Sequence, residues 1–79
     1  MFSYTTSLKA DNSEFKRVCS EVEKINGIRK HEPIVDVDGS VIQEYTINSK
    51  RIIVQNDYEV DAVYIDSDID LSSTVKSVV

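Results

Sequence analysis

With Cys19 its only cysteine and His31 its only histidine, the chain can form no internal disulfide and cannot assemble a Cys/His zinc site. The two glycines, Gly27 and Gly39, lie twelve residues apart, which excludes a glycine-rich loop cradling a phosphate. Tryptophan is absent, and no stretch approaches the roughly 18 apolar residues of a helical membrane span. Residues 1–6 lack the basic start and apolar run of a secretory leader. A soluble, cytoplasmic protein that contacts no membrane is the expectation.

What is present is ordinary globular composition, 41 % hydrophobic and 29 % charged in 79 residues. A chain of this length has room for one core, which supplies only roughly 3 to 5 kcal/mol in the absence of a disulfide or metal. Burial against a second copy or a partner is the remaining way to add to that, so a homo-oligomer or a complex is anticipated.

Charge is unevenly placed. Residues 1–30 hold six Lys/Arg against four acids, whereas residues 31–79 hold three against ten. Between Arg51 and Lys76 lie six acids, Asp57, Glu59, Asp61, Asp66, Asp68 and Asp70, and no base.

Phe2, Tyr4, Thr6 and Leu8 alternate with small polar residues, the period of a strand with one buried face. Asp11 with Glu14 three residues on has capping-box spacing, and Phe15, Val18, Cys19, Val22 and Ile25 then recur at helical steps. Gly27 is placed to end that helix in a left-handed cap. Residues 34–37, 41–47, 51–55 and 58–65 read as strands, separated by turns at Asp38-Gly39, Asn48-Ser49 and Asn56-Asp57, with Pro33 at the start of the first. The expected architecture is α+β, one amphipathic helix packed on a four- or five-stranded mainly antiparallel sheet in the order β-α-β-β-β-β. Residues 1–71 form a single compact domain in this reading and residues 72–79 a C-terminal tail.

Nothing in the sequence marks catalysis. Cys19 falls in the apolar stripe of the helix, where a thiol behaves as a small hydrophobe, and His31 sits in a charged connection. Asp66, Asp68 and Asp70 begin like an EF-hand loop, but Leu71 replaces the turn glycine and Ser77 the bidentate acid, so no metal and no cofactor is expected. Tyr4, Tyr45, Tyr58 and Tyr64 would need a basic surround to stack nucleic-acid bases, and Tyr58 and Tyr64 lie in the most acidic segment.

The functional expectation is a small, non-enzymatic, acidic protein-binding module. Its site would be Asp57, Glu59, Asp61, Asp66, Asp68 and Asp70, with Asp66, Asp68 and Asp70 aligned at roughly 6.6 Å intervals along extended chain against a basic surface on a partner protein. An inhibitor, an antitoxin-like neutraliser or an accessory factor fits that description. The alternatives are RNA binding through Lys16, Arg17, Lys24, Arg29 and Lys30 at the basic helix end, and a self-assembling structural subunit that uses an exposed strand edge.

Overall fold

The computed structural model describes residues 1–78. Its elements are β1 (Phe2–Ser7), α1 (Asn12–Glu23), β2 (Arg29–Lys30), β3 (Ile34–Val35), β4 (Val41–Ile47), β5 (Lys50–Asp57) and β6 (Ala62–Ser67). The fold is α+β, one helix on an antiparallel sheet in the order β1-β6-β5-β4-β2, with β3 also on β4. Six strands rather than four or five are present because Arg29–Lys30 adds a short piece opposite Thr46 and Tyr45.

The helix starts where the sequence places it. Asp11 accepts from the Ser13 and Glu14 amides at 2.9 and 3.1 Å. Only half of the capping box forms, because the Asp11 amide donates instead to Asn56 Oδ1 at 3.0 Å and Glu14 turns to Arg17 at 2.7 Å. The helix stops at Glu23, earlier than Gly27 would have it. Gly27, at φ +87, closes a turn in which the Ile28 amide donates to the Ile25 carbonyl.

Phe15, Val18, Cys19 and Val22 meet Tyr45, Ile52, Val54, Val63 and Ile65 in one core. Alternation sends Ile42, Glu44, Arg51, Ile53, Tyr64 and Asp66 to the opposite face, which no helix covers. Leu71 and Val75 also enter the core, and the Val78 amide donates to the Thr5 carbonyl on the outer edge of β1 at 2.7 Å. Of the expected tail 72–79, residue 79 lies outside the described residues. Leu8 is 66 % exposed, because β1 ends at Ser7 after a bulge between Thr5 and Ser7.

Asn48 and Ser49, both at positive φ, close the β4–β5 hairpin as expected. The next turn differs. Asn56 and Asp57 stay in β5, and the chain reverses over residues 58–61 with Asp61 at φ +61. Asn56 is fully buried beneath the helix start, and the Asp57 carboxylate accepts from the Glu59 and Val60 amides, so the reversal begins two residues later than the Asn-Asp pair suggested. No helix among the described residues is long and apolar enough to cross a membrane.

Candidate functional site

Counting outward from the Asn48-Ser49 turn pairs Val41 with Asn56. The loop that enters β4 and the loop that leaves β5 therefore lie side by side at one end of the sheet. Both are acidic turns. In the first, the Asp36 amide donates to the Ser40 carbonyl at 2.8 Å, Asp38 accepts from the Ser40 amide at 2.8 Å, and Gly39 takes φ +89. In the second, Asp57 Oδ1 accepts from the Glu59 and Val60 amides at 2.9 and 3.1 Å while Oδ2 accepts from the Tyr64 hydroxyl at 3.2 Å. Ser40 Oγ accepts from the Tyr58 amide at 2.9 Å and ties the two turns together.

Between them is a hollow of about 80 Å³. Asp36, Asp38, Asp57 and Glu59 line it together with Ser40 and Gln55. Among the described residues none of these four carboxylates is in an ion pair; the pairs present are Arg17–Glu14, Lys24–Glu21, Lys30–Glu23 and Arg51–Glu44. The Ser40 backbone amide holds the Asp38 carboxyl below its usual range. Apolar side chains are exposed on the same two turns and on the strand leading into them. Val37 is fully exposed, and Val35, Tyr58 and Val60 are 66, 47 and 64 % exposed. A tip residue of a three-residue turn has no sheet neighbour to pack on, which leaves Val37 in water.

The six acids singled out from the sequence divide among three places. Asp57 and Glu59 line the hollow. Asp61 belongs to the same turn, and its carboxylate accepts from the Ala10 amide at 2.8 Å. Asp66 lies on the uncovered face of β6 and accepts from Ser3 Oγ at 2.8 Å. The strand ends at Ser67, so the anticipated ladder through Asp68 and Asp70 does not form. Asp68 accepts from the Arg51 amide at 3.0 Å, and Asp70 from the Tyr4 hydroxyl and the Ser72 amide, each at 2.9 Å. Hydrogen bonding, led by the Ser72 backbone amide, lowers the Asp70 carboxyl. The length of β6, roughly 20 Å at the usual rise per residue, separates these two from Asp57 and Glu59.

Asp36, Asp38, Val35 and Val37 did not stand out in the sequence as a site. Their signal was an acid-apolar-acid hairpin tip, which reads equally well as a turn. Only the β4–β5 register sets it beside Asp57 and Glu59.

The other candidates are dispersed. Lys24, Lys30 and Arg17 are paired with neighbouring acids. Of the tyrosines, Tyr45 is in the core, Tyr4 packs against it, Tyr64 is on the uncovered face and Tyr58 is in a turn, so they share no platform. Burial raises the Cys19 thiol. His31, with Nε2 2.9 Å from Thr46 Oγ1, lies on the side of the sheet away from the helix that carries Cys19. No group of three or more His, Cys, Asp or Glu among the described residues is arranged to hold a metal ion. Comparison with known protein families, curated proteins and solved structures finds no match.

Proposed function

We propose that the protein is a small protein-binding module that engages a basic partner through the acidic end of its sheet, acting as an inhibitor, a neutraliser or an accessory factor. The reading is carried by one observation: Asp36, Asp38, Asp57 and Glu59 line a single hollow and are in no ion pair among the described residues, with Val35, Val37, Tyr58 and Val60 exposed on the same two turns and the strand leading into them. Carboxylates gathered on one end steer a cationic partner and raise its association rate, while the apolar side chains supply area that loses water on contact. The negative surface is built from turns, so it needs no rearrangement of the core.

Capture of the partner from native cells followed by binding kinetics tests this. Replacing Asp36, Asp38 and Asp57 with Asn and Glu59 with Gln keeps side chains that can still accept the turn hydrogen bonds. The expected result is an unchanged fold and a lower association rate that no longer depends strongly on salt, since exposed charges are screened within roughly 8 to 10 Å at physiological ionic strength. An unaffected association rate, or loss of activity in a variant with Lys16, Arg17, Lys24, Arg29 and Lys30 changed to Gln, would overturn the reading, the latter in favour of nucleic acid.

A further inference from the structure

The outer edge beside β4 is built in two pieces. The His31 amide continues the register of β2 by donating to the Glu44 carbonyl at 3.1 Å, and β3 resumes with Ile34 opposite Ile42. Glu32 and Pro33 together therefore face Gln43, the two-against-one count of a β-bulge. Gln43 Nε2 bridges the interruption, donating to the His31 and Glu44 carbonyls at 2.6 and 3.0 Å. Bulge, proline and charge blunt this lower half of the edge against pairing.

The upper half has neither bulge nor proline. The Asp36 amide bonded to the Ser40 carbonyl marks a hydrogen-bonded pair at the turn. Antiparallel alternation makes Ile34 and Ile42 the next such pair and points the amide and carbonyl of Val35 away from the sheet. Ile34 and Val35 are 63 and 66 % exposed, and Val37 is fully so. From 31 to 49 the chain has no Lys or Arg, and Glu32, Asp36 and Asp38 are in no ion pair among the described residues.

We propose that the β3 edge accepts an extended, lysine- or arginine-bearing segment of the partner protein as an added strand. The proposal rests on the basic-partner reading above and adds the mode of contact. Backbone bonds form at Val35, apolar side chains of the segment cover Val35 and Val37, and its basic side chains reach Asp36 and Asp38. A second copy of this chain is the poorer occupant of this edge, because it would bring the same acids against themselves.

A short synthetic peptide alternating lysine with valine is the probe, titrated at low salt while amide shifts and hydrogen exchange are followed by NMR. Peptide binding should slow exchange of the Val35 amide, and methylating the peptide's valine amides should weaken binding about tenfold for each backbone bond lost. Val35→Pro, which removes an outward-facing donor at an edge position that tolerates proline, should weaken it similarly while melting close to the parent. Binding that leaves the Val35 amide unchanged, or that is indifferent to peptide methylation, overturns strand addition. If that binding is still lost on neutralising Asp36, Asp38, Asp57 and Glu59, the basic-partner reading survives without it. Absence of peptide binding at low salt also overturns strand addition, and the captured native partner then tests the broader reading alone.

Discussion

Tyr45 carries a polar atom into the centre of the core, where it meets the Glu23 carboxylate and the Cys19 thiol. Its ring is fully buried, and its hydroxyl donates to Glu23 Oε2 at 2.5 Å, the oxygen that Lys30 Nζ approaches to 3.3 Å. Burial pushes the Tyr45 hydroxyl above its usual range. The Tyr45 hydrogen bond, with Lys30 behind it, lowers the Glu23 carboxyl. A carboxyl lowered by folding stabilises the protein above its unfolded pKa, and that contribution fades as pH falls through the folded value. Tyr45→Phe should cost about 1 to 2 kcal/mol near neutrality, the worth of a hydrogen bond to a partly solvated charge. It should also return the Glu23 titration towards the ordinary range and make the loss of stability on the acid side shallower; urea titrations at several pH values, with carboxyl chemical shifts, measure both. The Phe15, Val18, Cys19, Val22 stripe was legible because helical spacing is local. The Tyr45–Glu23 contact joins residues 22 apart in different elements and left no local trace.

Turns, more than strands, organise the candidate site. Gly39 sits at φ +89 as the last tip residue of the β3–β4 connection, and a methyl group added there would lie 3.6 Å from Tyr58 Cε2, in ordinary contact. Space is therefore available and backbone conformation is the constraint. Gly39→Ala should cost about 1 to 2 kcal/mol, the penalty of an L-residue in the left-handed region, read as a lower melting temperature with little change in the core. The Asp38-Gly39 and Asn48-Ser49 turns were legible because both depend on residues that tolerate positive φ. The turn after β5 was displaced from Asn56-Asp57 because Asn56 is occupied by the Asp11 amide, a contact between segments 45 residues apart. Gly27 shows the same limit, since the helix ends before it and the glycine serves the following turn.

At the scale of the molecule, acids that look like one run in sequence serve separate places in space. Asp66, Asp68 and Asp70 accept from Ser3, from the Arg51 amide, and from Tyr4 with the Ser72 amide, respectively, so they do not converge on a common point. Neither these acids nor any other group of three or more His, Cys, Asp or Glu among the described residues is arranged to hold a metal ion, so millimolar calcium should leave the melting temperature unchanged, because a tight native-state ligand would raise it by mass action. A calorimetric scan with and without calcium checks this. The acids that do gather, Asp36, Asp38, Asp57 and Glu59, come from two hairpin ends that the sheet sets side by side.

The sequence by itself determined the helix and its buried stripe, the antiparallel succession of strands, the two turns built on positive-φ residues, and the excess of negative charge. Each of these follows from period, local backbone preference or composition, which neighbouring residues specify among themselves. Tertiary structure alone decided where β6 ends, which oxygens of the acidic residues are occupied by amides and hydroxyls, and which carboxylates share a hollow. The Asn48-Ser49 turn sets Val41 opposite Asn56, but only the burial of Asn56 against the helix start, where it accepts from the Asp11 amide, keeps Asn56 and Asp57 in β5 and carries the next turn out to residues 58–61, beside the Asp36–Asp38 turn.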